Sequence, residues 1–299
     1  MRGYEGTTAA VLGASGFIGR WVVRKLVEQG AHVCRIGRED TGDLAAIYRS
    51  VRPSITFNLA GYGIDPLECD EAEAYHVNAD LPRMVAAAVA AEQDPEWPGQ
   101  HFVHVGSGVE YGGAGGNLCE DGPAFPATLY AKSKWIGTQA VAEQSKALGF
   151  RAVIARLFTI YGPGERARRL LPTLLEARRT GQALDLSSGM QRRDFTYVED
   201  AAEGLLKLGL VSEPRYAIVN LATGQLATVR FFAETAAAVL GIPPENLKFG
   251  AIPANLHEMQ HEAVSLDRLK RLLAWIPPTS IAEGVRKTLE ISLLEEAQP

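Results

Sequence analysis

The sequence predicts an α/β protein: a doubly wound parallel sheet followed by a smaller C-terminal α/β unit that covers the substrate. Three features predict it. Strand-like and helix-like stretches alternate over residues 8–157, a glycine turn joins the first strand to the first helix, and the rhythm changes after Tyr161-Gly162-Pro163-Gly164. Repeated βα units build a parallel sheet with helices on both faces.

Residues 8–12 are short, apolar and β-prone, and they end at Gly13. Residues 17–29 are amphipathic and stop at Gly30; residues 31–36 are again strand-like. Strand, glycine turn, helix, glycine, strand is one βαβ unit. The alternation continues through a strand at 55–59, an Ala-rich helix at 71–92, a strand at 101–105, a helix at 130–148 and a strand at 152–157. Beyond residue 165 come helices at 168–179, 198–210 and 229–240, with short strands at 183–186 and 217–221. Pro243, Pro244, Pro253, Pro277 and Pro278 then cut the chain into short pieces. The division this implies is a dinucleotide-binding domain at 1–165, with a returning segment near 197–226. Residues 166–196 and 227–299 would form the smaller substrate-binding domain.

The chain has 299 residues, 46% of them hydrophobic and 22% charged, enough to bury a full core. A net charge of -5 argues against a nucleic-acid or polybasic membrane partner. A locally basic pocket for an anionic small molecule stays compatible with it. Cys34, Cys69 and Cys119 form neither a disulfide framework nor a metal pattern. No basic-then-apolar leader and no membrane-length apolar run are visible, so a reducing cytoplasm is expected.

Gly13-Ala14-Ser15-Gly16-Phe17-Ile18-Gly19 ends the first strand and opens the first helix, where a dinucleotide pyrophosphate should bind in a Rossmann-type fold. Gly13 permits the turn, Gly16 lets the backbone approach the phosphates, and Gly19 lets the helix pack close. The helix N-terminus offers free N–H groups to the anion. At the tip of the second strand an NAD site usually carries a carboxylate for the ribose hydroxyls. That tip reads Arg35-Ile36-Gly37-Arg38. Glycine leaves room for a 2′-phosphate and an arginine fork can hold it. NADP(H) is therefore favoured, with Arg38 and Arg35 on the 2′-phosphate. Glu39 and Asp40 keep NAD(H) open. Asp43 and Leu44 are placed at the adenine edge.

Tyr130 and Lys134 lie one turn apart on a predicted helix and share a face. A phenol is a poor acid/base at neutral pH unless a nearby ammonium favours its phenolate. Ser107 sits just past the fourth strand, where a hydroxyl points into the crevice of a doubly wound sheet and can meet a reacting carbonyl.

With these pieces go Asn58-Leu59-Ala60-Gly61, Asn78, Tyr111-Gly112, residues 156–164, Arg193-Asp194-Phe195, Tyr197-Val198, and Trp275 with Pro277. Together they resemble the extended short-chain dehydrogenases/reductases, the epimerase/dehydratase family of nucleotide-sugar enzymes. The resemblance implies that Tyr130 is the acid/base, that Ser107 binds the substrate oxygen, and that Lys134 holds the nicotinamide ribose. It sets Leu59, Ala60, Gly61, Asn78 and Phe158 beside the cofactor, Gly108 and Thr159 beside the substrate, and Arg193 on its diphosphate. It also implies a nucleotide-diphosphate sugar as substrate and a homodimer.

Two departures narrow the reaction. Thr159 stands where the family often has an asparagine. Gly108 and Val109 follow the serine where sugar dehydratases carry an acidic pair and where some reductases that also epimerise carry a cysteine. Neither residue moves a proton. The favoured reading is NADPH-dependent reduction of a 4-keto group on a nucleotide-linked deoxyhexose. The alternative is an NAD-dependent 4-epimerase. A non-catalytic NAD(P) sensor is a remote third, since such relatives usually lack the intact serine and Tyr-x-x-x-Lys.

Overall fold

The computed structural model describes residues 3–63, 67–253 and 262–296. The chain opens with β1 (Thr8–Leu12), α1 (Phe17–Glu28) and β2 (His32–Ile36). After a single-turn helix at Glu39–Asp43 come α2 (Leu44–Val51) and β3 (Ile55–Asn58). The long helix expected at 71–92 is divided: α3 (Glu71–Tyr75) passes through a wide π turn at His76–Asp80 into α4 (Leu81–Ala91). Next are β4 (Phe102–Ser107), a short turn at Gly108–Tyr111 and β5 (Asn117–Leu118). They are followed by α5 (Leu129–Leu148), β6 (Ala152–Leu157) and β7 (Thr159–Tyr161).

The second half contributes α6 (Leu170–Thr180), β8 (Leu184–Leu186), β9 (Arg192–Tyr197), α7 (Val198–Gly209), β10 (Tyr216–Leu221) and β11 (Leu226–Thr228). It closes with α8 (Val229–Leu240), β12 (Leu247–Phe249), β13 (Ala263–Val264), α9 (Asp267–Leu273) and α10 (Ile281–Glu296).

The main sheet has six parallel strands in the order β10-β6-β4-β3-β1-β2. The chain leaves β1 in one direction towards β2 and returns on the other side at β3. Crevices for ligands open at such a reversal, beyond the carboxyl ends of the strands. Side chains alternate across the sheet. Ala9, Val11, Val103, Val153 and Ala155 join one core with α1 and α7. Ala10, Leu12, Phe102 and Ile154 face the other, with Tyr48, Val85, Val89 and Val141. Three smaller sheets, β11-β9-β7, β12-β8 and β13-β5, pair strands of the later part of the chain with one another and with β7 and β5. Among the described residues, no helix is long and apolar enough to cross a membrane.

The π turn has a packing cause. A Cβ on Gly137 of α5 would collide with the Asn78 carbonyl oxygen, so the two backbones touch there. A widened turn re-aims the helix at that contact. It also lets the buried Asn78 side chain reach out: its amide donates to the Tyr62 carbonyl at 2.7 Å and to Ser133 Oγ at 2.9 Å.

Candidate active site

The cleft begins at the turn between β1 and α1. Gly13 has φ +72, and a Cβ on it would lie 2.8 Å from the Ala60 nitrogen. The loop after β3 is thus packed directly on this turn. Asn58 shapes that loop by accepting the Ala60 N–H at 3.1 Å. Gly16 caps α1 in extended conformation with no side-chain cap, and the first turn holds no acidic residue. The first N–H groups of α1 are left for an anion, and the positive end of the helix is uncompensated. That local chemistry fits a dinucleotide pyrophosphate.

Two adjoining hollows share Gly13, Gly16, Leu59, Ala60, Gly61 and Arg166. One runs outward past Ser15, Arg35, Gly37, Arg38, Glu39, Asp40 and Thr41. The other runs inward past Phe17, Ile18, Gly19, Val105, Ser107, Tyr130, Lys134, Phe158 and Glu165. The serine, phenol and ammonium expected from distant stretches of sequence therefore line one cavity with the glycine turn. Arg166 lines both hollows and forms an ion pair with Glu68 at 2.9 Å.

Some expected residues lie off these hollows. Asp43 turns its carboxylate to the Ala46 N–H as the cap of α2, and Leu44 is buried in the core. Gly108 backs onto the Phe158 ring, where a Cβ would meet it at 2.7 Å. Asn78 works through Tyr62 and Ser133 instead of lining the cavity. Thr159 sits in β7 and Arg193 in β9, where the Arg193 guanidinium donates to the Arg192 carbonyl at 3.2 Å.

Thr128 caps α5 by accepting the Ala131 N–H, which fixes the turn that carries Tyr130. Lys134 is buried and donates to the Val105 carbonyl at 2.6 Å. Burial lowers its ammonium to about 8, against the opposing pull of Glu110. Burial pushes the Tyr130 phenol up to about 12, while the Ser107 hydroxyl beside it works the other way. The arrangement can hand one proton to an oxygen seated between Ser107 and Tyr130.

Glu165 was not visible as a site residue in the sequence, since nothing marks a carboxylate four residues past Tyr161 as buried. Its side chain is 6% exposed, one oxygen meets Arg169 Nε at 3.2 Å, and Oε2 has no hydrogen bond. Burial raises it from 4.5 to about 7, with Arg169 opposing. A carboxyl raised on folding favours the native state fully below about 4.5 and loses that contribution as pH climbs through about 7. Glu165→Gln should therefore gain stability relative to the parent between pH 5 and pH 8, by at most about 3 kcal/mol. Denaturant melts of both proteins at the two pH values check this; a pH-independent difference contradicts it.

A family model described as the NAD dependent epimerase/dehydratase family matches residues 9–222. The chain belongs to this family. It is thus an NAD(P)-dependent enzyme of the extended short-chain dehydrogenase/reductase type, and its fold is the Rossmann-type α/β architecture expected above. Among curated proteins it is 29% identical over 306 residues to a dTDP-6-deoxy-L-talose 4-dehydrogenase (NAD(P)(+)) of Kitasatospora kifunensis, with 93% of each chain covered. It is 30% identical over 207 residues to a probable dTDP-4,6-dihydroxy-2-methyloxan-3-one 4-ketoreductase of Streptomyces antibioticus, covering 67% of this chain and 66% of the other. The fold matches MoeE5 in complex with UDP-glucuronic acid and NAD at a TM-score of 0.85 and 23% identity, over 96% of this chain and 99% of that one. It also matches the UDP-glucose 4-epimerase of Thermotoga maritima with UDP-glucose, at 0.85 and 20% identity over 97% and 99%.

Proposed function

We propose that the protein reduces the 4-keto group of a nucleotide-linked deoxyhexose with NADPH, and runs the reverse 4-dehydrogenation when product and oxidised cofactor are supplied. The convergence of Ser107, Tyr130 and Lys134 beside the glycine turn carries this reading. Reduced nicotinamide, when bound, supplies hydride. Ser107 donates a hydrogen bond to the carbonyl oxygen, and Tyr130 gives it a proton as carbon 4 gains hydride. A phenol held near 12 keeps its proton at neutral pH, the state a reduction needs. Lys134 supports the phenolate that remains and orients the ribose. Gly108 and Val109 beside Ser107 offer no acid or base for loss of water. The two curated relatives, a 4-dehydrogenase and a 4-ketoreductase, support chemistry at carbon 4.

At the outer end of the cleft, Arg38 is exposed and only loosely paired with Glu73 at 3.8 Å. Glu39 folds over Gly37, and Asp40 accepts the Gly37 N–H at 2.8 Å. The two carboxylates sit near the ribose position, so NADH is expected to work as well, though less tightly. NADPH consumption with a dTDP-4-keto-6-deoxyhexose tests the reading, with product analysis by NMR. Stoichiometric oxidation of NADPH supports it; no oxidation with the keto sugar, together with inversion of carbon 4 in the corresponding 4-hydroxy dTDP-6-deoxyhexose without net redox change, replaces it with the epimerase. In the same assay Arg38→Ala should weaken NADPH at least about tenfold more than NADH, the worth of one charge-assisted phosphate contact. Equal losses remove Arg38 from the 2′-phosphate.

A further inference from the structure

Glu110 is fully buried behind the serine, and both of its carboxylate oxygens are engaged. Oε1 accepts the Ser107 backbone N–H at 2.7 Å and the Thr138 hydroxyl at 3.1 Å. Oε2 accepts Arg156 Nε at 3.0 Å. The Ser107 hydroxyl in turn accepts the Val109 N–H at 3.4 Å, closing a reciprocal capping box. Such a box ordinarily starts a helix, yet the turn it starts here is four residues long. What it fixes is the end of β4, where the active-site hydroxyl sits.

A carboxylate this deep is costly to bury without a matching charge beside it. Arg156 supplies it and is itself 1% exposed, with its guanidinium 4.4 Å from the Tyr111 ring centroid and 5.5 Å from that of Trp135. Gly106 leaves the space open, since a Cβ there would lie 2.8 Å from Oε1. Tyr111 extends the network by donating to Asn220 Oδ1 at 2.8 Å, and Asn220 donates to the Leu118 carbonyl at 3.0 Å.

We propose that Glu110 is a positioning residue of the reaction: its carboxylate, held by Arg156, fixes the Ser107 backbone and with it the hydroxyl that meets the substrate oxygen. Glu110 touches neither substrate nor cofactor and moves no proton. The proposal rests on the reading that Ser107 binds the oxygen on carbon 4.

A buried ion pair replaced on both sides by apolar groups of similar size is often neutral for stability, but the Ser107 N–H and Thr138 hydroxyl lose their acceptor at about 1–3 kcal/mol each, so melts of the paired variant accompany its kinetics. The test is a double-mutant cycle between Ser107→Ala and the paired change Glu110→Leu with Arg156→Met. The paired change alone should lower kcat about tenfold or more while the KM for NADPH moves less than about twofold. In the Ser107→Ala background the same change should cost less than about twofold, because the hydroxyl it positions is gone. Equal losses in the two backgrounds, or an undiminished kcat in the paired variant, overturn the proposal. If the paired variant does not fold, Glu110→Asp carries the same cycle with the same expected pattern. It keeps a charge opposite Arg156 and draws the oxygen away from the Ser107 N–H. The cycle is run on whichever conversion the parent performs, reduction or 4-epimerisation, since both use Ser107. Loss of the reductase reading thus leaves it intact, and additive losses overturn it while that reading stands.

Discussion

Tyr130→Phe should lower kcat by about 10³-fold and leave the Kd for NADPH within about twofold. The change removes one oxygen and keeps the ring that lines the cavity. What is lost is the proton donor. The phenol is held near 12 by burial, so at neutral pH it is protonated and ready to give. Lys134 does not replace it in this reading: one N–H of its ammonium is held by the Val105 carbonyl at 2.6 Å, and the others serve the phenolate and the ribose. Ser107 offers a hydrogen bond, but its hydroxyl is too weak an acid to deliver a full proton. Stopped-flow single turnovers, with cofactor binding followed by fluorescence, separate the two quantities. Turnover within tenfold of the parent would remove Tyr130 from the mechanism. A loss confined to cofactor binding would make it a packing residue.

Much of this site could be read from residue order, because its parts are local. Gly13 to Gly19 is a contiguous turn, Tyr130 and Lys134 are one helical turn apart, and Ser107 ends a strand with an evident apolar pattern. Strands and helices with a clean period were equally legible, among them β1, α1, β6 and α8. Helix α2 has the period too, at Leu44, Ile47, Tyr48 and Val51, but it is short and wedged between charged and proline-bearing turns. Helix α10 was hidden because the residues it buries include Gly284 and Thr288 beside Val285, so its inner face does not look apolar. Strands β5 and β13 are two residues each and pair Asn117 with Ala263 across a long stretch of chain. No local pattern announces such a pairing. The same limit hid the pairing of Glu110 with Arg156. In sequence, a lone charge reads as solvated surface, and only the fold shows the two facing each other inside.

Gly19→Ala should weaken NADPH binding by about 100-fold or more. The helix α1 lies so close to the turn that a Cβ on Gly19 would overlap the Gly13 carbonyl oxygen and lie 2.8 Å from its carbon. The neighbour is backbone and cannot swing away. Gly13 cannot retreat either, because it is already pressed on the Leu59–Ala60 peptide. The helix must therefore shift outward, taking its free N–H groups away from the phosphate position. Losing about two hydrogen bonds to a charged group, at about 1.5–3 kcal/mol each, accounts for the weakening. Overpacking should also cost about 1–3 kcal/mol of stability. Gly113→Ala is the control, since nothing lies within 4 Å of its added carbon and its backbone is compatible with a side chain. It should match the parent in both measurements. Isothermal titration with NADPH, alongside thermal melts in the absence of cofactor, distinguishes a displaced phosphate turn from general loosening. A Gly19→Ala protein that melts lower yet binds NADPH with parental affinity would show that the first helical N–H groups do not hold the pyrophosphate.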